Sequence, residues 1–207
     1  MEIILLTNKK IFASNCYLLL SENCCSVIDP SVEYSEALKI APQIAHLVPK
    51  YVLLTHGHLD HMWEIKSYIE RGFEVLISST DAKLLTDPIG NCDYILQGPI
   101  SVIEEKVTEI DDGDVIDIGD NQKLLVMNTP GHTQGSVCYI SNDVIFTGDT
   151  LFAGGIFGRC DLLTSDSGMM KESLSKLFEL NETLIVYPGH GASTVLGKTK
   201  SDFLMFR

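Results

Sequence analysis

The sequence has no CxxC pair, no long apolar run and no excess of basic charge. Six cysteines occur among 207 residues, mostly in apolar, strand-like stretches where a reduced thiol packs as a small hydrophobic group. No run approaches the ~18 consecutive apolar residues of a membrane helix. The first ten residues show no charged region leading into a long apolar stretch, so no secretory signal is visible. We therefore expect a cytoplasmic protein with free thiols.

Basic residues are outnumbered, with 15 Lys and Arg against 28 Asp and Glu and a net charge of -13. Such a charge argues against nucleic acid or an anionic membrane surface as a partner. The length allows one sizeable core, and no linker, low-complexity tract or internal repeat divides the chain. We expect one domain over residues 1–207 that acts on a small molecule. No heptad repeat or interface pattern indicates an oligomeric state.

Strand-like and helix-like segments alternate along the chain. Helical spacing predicts helices over residues 33–47, with an interruption at Pro42, and over 61–70, 79–85 and 168–180. The irregular stretch 86–99 is a candidate cover over a site. Short apolar runs bounded by turn residues predict strands over residues 2–6, 16–20, 24–28, 50–54, 73–77, 115–118, 123–127, 136–140, 144–147 and 183–187.

The densest group of metal-ligand residues follows the strand predicted at 50–54. It reads Thr55-His56-Gly57-His58-Leu59-Asp60-His61, with four potential ligands within six residues. In an extended segment alternate side chains share a face, so His56 and His58 can point to one place. Asp60 and His61 face a second, displaced place if a helix begins there. Because such crowding is unfavourable without a cation, this stretch predicts a site for two adjacent metal ions.

Three further strand-end loops carry ligand-type residues. They contain His132, Asp149 and His190, each flanked by Gly or Pro residues that let the backbone turn sharply. Five of the six histidines thus lie in strand-end loops. The sixth, His46, is expected at the surface without a role, and Trp63 is expected to pack in the core rather than line the site.

Together these motifs resemble the metallo-β-lactamase fold superfamily, and within it the glyoxalase II group of thioesterases. The motifs appear in order as His56-Gly57-His58-Leu59-Asp60-His61, Pro130-Gly131-His132-Thr133, Thr147-Gly148-Asp149-Thr150, Gly158-Arg159-Cys160-Asp161 and Pro188-Gly189-His190-Gly191. The resemblance implies an α+β fold, a four-layer αββα sandwich. It also implies a short form of the enzyme, without the C-terminal helical domain of longer relatives.

The resemblance implies seven ligands shared between two divalent metal ions. The first metal would be held by His56, His58 and His132, the second by Asp60, His61 and His190, with Asp149 bridging the two. Five imidazoles and two carboxylates without a thiolate suit zinc first, and also iron or manganese.

The expected reaction is hydrolysis of a thioester such as S-lactoylglutathione. A hydroxide bridging two metals would attack the carbonyl, and Asp60 would orient it by accepting its proton while Asp149 holds both metals. Arg159 stands where longer enzymes have a lysine that contacts glutathione, so it is a candidate for the substrate carboxylate. The alternative is a buried ion pair between Arg159 and Asp161 that supports the ligand loop. Cys160 is expected to pack rather than react.

Two other activities on this fold stay open. A persulfide dioxygenase would use one iron held by His56, His132 and Asp149. Against it stands the ending Gly189-His190-Gly191, where those enzymes typically show Pro-Ala-His followed by Asp. A lactonase or other esterase makes similar demands on the metals and is the remaining alternative.

Overall fold

The computed structural model describes residues 1–8, 12, 14–92 and 107–205. Of the predicted cover at 86–99, residues 93–99 lie outside the described residues. Within the described part of the chain, no helix is both long and apolar enough to cross a membrane. All six cysteines are described, and all are free thiols as predicted.

The first sheet contains six strands in their sequence order. Strands β1 to β3 are antiparallel neighbours, and β3 to β6 run parallel. The strands are β1 (Glu2–Leu6), β2 (Cys16–Leu20), β3 (Cys24–Ile28), β4 (Val48–Leu53), β5 (Glu74–Ser78) and β6 (Val107–Ile110).

The second sheet also has six strands, in the order β12-β11-β10-β9-β8-β7. Only β10 and β11 pair in parallel. The strands are β7 (Val115–Gly119), β8 (Gln122–Asn128), β9 (Val137–Ile140), β10 (Val144–Gly148), β11 (Ile185–Pro188) and β12 (Thr194–Val195).

Helices cover the outer faces of both sheets. The α-helices are α1 (Tyr34–Ile40), α2 (Leu59–Met62), α3 (Ile65–Ile69), α4 (Ser167–Leu177) and α5 (Leu196–Met205). Short 3₁₀ helices span Pro42–His46, Ala82–Leu85 and Ala153–Gly155.

Three buried apolar clusters separate four layers. Because side chains alternate along a strand, Leu18 of β2 packs against α1 to α3, and its neighbour Leu19 lies between the two sheets. In β10, Phe146 joins the cluster between the sheets, whereas Ile145 packs with Leu174 of α4 on the opposite face. The order helix, sheet, sheet, helix confirms the predicted α+β, αββα sandwich.

The helix predictions were right in place and wrong in detail. Pro42 ends the first helix as predicted, because α1 stops at Ile40 and a 3₁₀ turn begins at the proline. The single helix predicted at 61–70 is divided into α2 and α3. Its interruption is at Glu64, whose N–H donates to the Pro30 carbonyl oxygen at 2.9 Å instead of continuing the helical ladder.

Three short or polar elements were not predicted from the sequence: β6, β12 and α5. In β6, Thr108 and Glu109 are not buried, so no continuous apolar run marks the strand. In α5 only Leu196, Thr199 and Phe203 are buried, because the helix covers the second sheet with one narrow face.

The two sheets bring the predicted ligand loops to one edge. The carboxyl ends of the parallel strands β3, β4 and β5 meet there, and those of β8, β10 and β11 meet it from the second sheet. In sheets of this kind, ligands bind where carboxyl ends of strands converge. The site therefore lies across the edge shared by both sheets.

We predict that Leu18→Ala destabilises the metal-free protein by about 2–5 kcal/mol, because it leaves a cavity in a well-packed layer. Leu18 is 0% exposed at the centre of the helix-side cluster. The measurement is urea unfolding followed by circular dichroism.

The matched control is Leu5→Ala in the neighbouring strand, since Leu5 is 45% exposed. It should change the free energy of unfolding by less than about 0.5 kcal/mol. Equal losses in the two variants would contradict the proposed layer arrangement.

Candidate metal centre

The loop after β4 divides its ligands as the spacing predicted. His56 and His58 belong to the segment before α2, and His58 is extended (φ -76°, ψ 146°) as the last residue before the helix. Asp60 and His61 lie within α2 and are buried. The change from extended chain to helix therefore turns the second pair of side chains toward a different place.

The outward ring nitrogens of His56 and His58 are both engaged. Thr55 Oγ1 lies 3.1 Å from His56 Nδ1, which leaves Nε2 to face the centre. For His58 the arrangement is reversed: Thr164 Oγ1 lies 3.4 Å from Nε2, and Nδ1 faces inward. Each hydrogen bond selects which nitrogen can act as a ligand.

Two more imidazoles are oriented in the same way. His132 Nδ1 donates to the backbone oxygen of Arg159 at 2.9 Å, and His61 Nδ1 lies 2.8 Å from Asp29 Oδ2. Both therefore present Nε2 to the centre. Such outer hydrogen bonds hold the ring and its tautomer in place for a metal.

The two predicted carboxylate ligands lie among these rings. Asp149 Oδ1 is 3.3 Å from His61 Nε2, whereas its Oδ2 is 3.4 Å from His132 Nε2 and 3.6 Å from His190 Nε2. Asp60 Oδ2 is 3.2 Å from His190 Nε2. Asp149 Oδ1 thus faces a ligand of the second predicted metal and Oδ2 faces ligands of both, an arrangement that suits a bridging carboxylate.

The structure brings all seven predicted ligands together. Among the described residues, three overlapping groups place one ligand atom from each member within 4.8 Å of the others. The groups are His56, His58 and His132; His56, His61 and Asp149; and Asp60, His61 and His190. The first and third are the two ligand sets that the family resemblance assigned to separate metals.

The donor atoms fit divalent cations. His56 Nε2, His61 Nε2 and Asp149 Oδ1 are buried polar atoms without a hydrogen-bond partner, and leaving such atoms unpaired is costly. Each points into the cluster and carries a lone pair when deprotonated. Imidazole and carboxylate donors of this number match zinc, iron or manganese.

Burial keeps two of the imidazoles neutral. It lowers the pKa of His56 well below its ordinary value, and neighbouring histidines lower that pKa further. Burial and the nearby His132 lower the pKa of His58 to about 3. Neutral imidazoles are the form that binds a metal.

Around His61 and Asp149, the charges of neighbouring residues outweigh the effect of burial on the pKa. Burial acts to lower the pKa of His61, but Asp29, Asp60 and Asp149 outweigh it and hold the pKa well above its ordinary value. Burial acts to raise the pKa of Asp149, but His61 and His132 hold it far below its ordinary value. In the metal-free protein, a protonated imidazole therefore occupies the position of a cation among the carboxylates.

Asp29 is a functional residue that the sequence analysis missed. It follows β3 in the left-handed region (φ 51°), and its carboxylate accepts from Thr55 N and Thr55 Oγ1, both at 2.8 Å, as well as contacting His61. One carboxylate thus supports the start of the ligand loop and one of its ligands. The available signal was an aspartate directly after a buried parallel strand.

Asn15 supports the last ligand loop. Its side-chain amide donates to the backbone oxygens of Pro188 at 3.0 Å and Gly191 at 2.9 Å, on either side of His190. Its own N–H donates to Gly189 O at 2.6 Å. The fixed loop places His190 opposite Asp60.

A cavity of about 280 Å³ opens onto the centre. Beside ligands of both groups, it is lined by Phe12, Cys92, Arg159 and Leu162. Arg159 pairs with Asp161 through bonds of 2.7 and 2.9 Å. The expected ion pair between Arg159 and Asp161 is therefore present, but it is not buried, because the two side chains are 60% and 68% exposed.

The remaining expectations concern residues outside the ligand set. Trp63 packs against the helix-side core as predicted. Cys160 packs against the cluster between the second sheet and α4, and its thiol contacts the Gly158 carbonyl oxygen. His46 is exposed on a 3₁₀ helix away from the site, as expected.

Sequence comparison places the chain in a family. The model of the metallo-beta-lactamase superfamily matches residues 10–190, and the chain therefore belongs to that superfamily. The two-sheet fold described above agrees with that membership.

Individual relatives extend the comparison. The chain is 36% identical over 195 residues to an uncharacterised protein of Mycobacterium leprae, with 88% of each chain covered. It is 32% identical over 205 residues to the hydroxyacylglutathione hydrolase GloC of Haemophilus influenzae, with 91% of each covered. A solved structure, TTHA1623 in a di-iron-bound form, is similar with a TM-score of 0.81 at 28% identity over 97% of both chains.

We predict that Gly158→Ala weakens zinc binding at least about tenfold, as disturbance of supporting residues commonly does. A Cβ at this position would lie 2.8 Å from His132 Nδ1 and 3.1 Å from Asp149 Cβ. The ligands would have to move. Competition with a chromophoric chelator measures the affinity.

Gly168→Ala is the control, because its Cβ would meet only the Asp166 carboxylate, at 3.1 Å, in the first turn of α4. It should bind zinc like the wild-type protein. Wild-type affinity in Gly158→Ala would contradict the described packing of the centre.

Proposed function

We propose that this protein is a dinuclear metal-dependent hydrolase of the glyoxalase II type, which cleaves a small-molecule thioester such as S-lactoylglutathione. The observation that carries the proposal is the convergence of seven ligand side chains, in which the group of His56, His61 and Asp149 joins the two sets assigned to separate metals. Similarity to a hydroxyacylglutathione hydrolase along nearly the whole chain supports the reaction class.

The metals proposed are two divalent ions, with zinc first and iron or manganese as alternatives. His56, His58 and His132 would hold one, Asp60, His61 and His190 the other, and Asp149 both. When bound, such a pair lowers the pKa of water toward ~7 and polarises a carbonyl oxygen. The resemblance to a di-iron structure supports iron as the main alternative.

The protein groups prepare this chemistry. Asp149 lies between the two ligand groups, because its Oδ2 is close to both His132 and His190 and its Oδ1 is close to His61. Asp60 has two carboxylate oxygens, so it can ligate with one and accept the proton of the attacking water with the other. Both carboxylates are largely buried, 8% and 9% exposed, and in such surroundings electrostatic interactions are stronger than in water.

A thioester suits the cavity better than a substrate with a strongly basic leaving group. Apart from the Cys92 thiol, the described non-ligand side chains of the lining are apolar or cationic, and burial raises the pKa of that thiol to about 11. A departing thiolate has a pKa near ~8.5 and needs little protonation. The reaction can therefore proceed without a strong general acid.

Arg159 is proposed to bind a carboxylate of the substrate. Its backbone oxygen orients His132, and its exposed side chain lines the cavity. The pairing with Asp161 keeps the guanidinium near the mouth. A carboxylate-bearing acyl carrier such as glutathione fits this placement.

The contact between His190 and Asp60 distinguishes the proposal from a persulfide dioxygenase. One iron held by His56, His132 and Asp149 would leave the third ligand group, with its 3.2 Å contact between Asp60 and His190, without a role. This supports two metals. A lactonase or esterase would use the same two metals and is separated only by its substrate.

We predict that the zinc-loaded protein hydrolyses S-lactoylglutathione with a kcat/KM of ~10⁴ M⁻¹s⁻¹ or more, within the usual enzymatic range. The metal-stripped protein should be inactive. Elemental analysis should find two metal ions per chain, and Asp149→Ala should lose both metals and the activity.

Each result that departs from this prediction would indicate a different correction. A single bound iron would favour the dioxygenase. Two bound metals with negligible thioester hydrolysis would keep the metal centre and redirect the search to lactones and other esters. Full activity in Asp149→Ala would exclude the dinuclear mechanism.

We further predict that Arg159→Met raises KM for S-lactoylglutathione about tenfold, the effect of losing one charge-assisted interaction, with kcat nearly unchanged. Arg159→Lys should restore part of the loss. Steady-state kinetics measures both parameters.

Lys39→Met is the matched control, because Lys39 is also an exposed cation paired with a nearby carboxylate, on α1. It should leave both parameters unchanged. An unchanged KM in Arg159→Met would remove this residue from the proposed substrate site.

A further inference from the structure

We propose that Asp81 is a positioning residue that fixes the two loops carrying His56, His58 and His132 relative to each other. Asp81 follows β5 and is 1% exposed. It is not a ligand in any of the three groups. Its role would be to set the geometry of the first metal site by hydrogen bonding to the ligand loops, without binding the metal itself.

The carboxylate of Asp81 bonds to both loops. Its Oδ2 accepts from Gly57 N at 3.0 Å and from Thr133 Oγ1 at 2.7 Å, and its Oδ1 accepts from Gly135 N at 2.9 Å. Gly57 belongs to the loop after β4 of the first sheet. Thr133 and Gly135 belong to the loop after β8 of the second sheet. One oxygen is thus shared between loops from different sheets.

These bonds act immediately beside the ligands. Gly57 lies between His56 and His58 in the sequence, and Thr133 follows His132. The loops are also joined by the bond from Val137 N to Thr55 O at 2.8 Å, but that bond lies at the strand ends. The Asp81 bonds join the ligand-bearing turns themselves, beside the 2.9 Å contact between His58 Nδ1 and His132 Nε2.

Two glycines allow the close approach. A Cβ at Gly57 would lie 2.6 Å from Leu84 Cβ and 3.2 Å from the backbone oxygen of Asp81. A Cβ at Gly135 would lie 2.6 Å from Asp81 Oδ1. Neither glycine has a positive φ. Glycine is therefore required at both positions because there is no space for a Cβ, and not because of the backbone conformation.

The chemistry requires a carboxylate. All three partners donate, and an ionised carboxylate only accepts. An asparagine of the same shape would turn an N–H toward at least one donor and leave a buried hydrogen bond unmade. The two loops would then move apart or rotate.

A change in loop separation affects the two sites unequally. The first site takes ligands from both loops, whereas Asp60 and His61 of the second lie together on α2. The third ligand of the second site, His190, is in a loop fixed by Asn15. The inference rests on the proposed metal centre and does not depend on the proposed substrate.

We test the inference by measuring zinc affinity in backgrounds that leave one site intact. In His190→Ala, which retains the first site, adding Asp81→Asn should weaken zinc binding about 10- to 100-fold, the usual effect of losing a group that supports ligands. In His132→Ala, which retains the second site, the same change should weaken binding less than about threefold. Competition with a chromophoric chelator gives the affinities.

Asp111→Asn is the matched control. Asp111 follows β6 and accepts a hydrogen bond from Ser79 Oγ at 2.6 Å, and Ser79 lies in the same turn as Asp81. No described hydrogen bond joins the Asp111 side chain to either ligand loop. Asp111→Asn should leave both affinities unchanged. The inference would be overturned if Asp81→Asn reduced zinc affinity equally in the His190→Ala and His132→Ala backgrounds, or reduced it in neither. If the wild-type protein binds neither zinc nor iron nor manganese, the proposed function itself fails.

Misfolding is separated by a milder variant. Circular dichroism of the metal-free proteins establishes folding, and Thr133→Val removes only one of the three bonds to Asp81. It should weaken zinc binding selectively in the His190→Ala background, whereas Thr133→Ser, which keeps the hydroxyl, should not. Identical affinities in the Val and Ser variants would contradict the role of Asp81.

Discussion

Five imidazoles and two carboxylates in buried contact are the constraint on which this structure depends. Groups of this kind repel or remain unpaired when they are buried without a cation. The protein offsets the cost by binding the outer atom of four rings, through Thr55, Thr164, Asp29 and the Arg159 carbonyl. The inner atoms are thereby directed to common points before any metal arrives, which lowers the cost of ordering them on binding.

The two-sheet fold supplies the loops that make this possible. Parallel strands of the first sheet end side by side, so the residues that follow β3, β4 and β5 meet at one edge. Asp29 follows β3 and Asp81 follows β5, and both carboxylates bind the ligand loop that lies between them after β4. The loop is therefore supported from both neighbouring strands. A single sheet edge provides ligands from its central loop and support from the flanking ones.

The ligands could be predicted from the sequence because they are dense and locally marked. Between His56 and His61 the spacing of the ligand residues by itself indicates a metal site. Glycine or proline residues mark the loops of His132, Asp149 and His190. The layered αββα fold followed from the family resemblance that these motifs carry, whereas the alternation of strands and helices located the elements. These signals are local, so a single sequence contains them.

The supporting residues could not be predicted because their roles exist only across long sequence separations. Nothing near Asn15 indicates that it binds the loop of His190, and Asp81 contacts residues of two distant loops. The same holds for the break between α2 and α3, which depends on a bond from Glu64 to Pro30. Local propensity favours one continuous helix there, and a tertiary contact overrides it.

The stretch 158–164 links the metal centre to the cavity that opens onto it. Its Arg159 carbonyl orients His132, and its Thr164 hydroxyl contacts His58. The Arg159 and Leu162 side chains of the same stretch line the cavity. Its backbone and Thr164 therefore support the ligands, whereas its Arg159 and Leu162 side chains face the cavity. Under the proposed function, a change of Arg159 or Leu162 would alter the choice of acyl carrier and leave the contacts to His132 and His58 in place, because the Arg159 carbonyl and the Thr164 hydroxyl make those contacts.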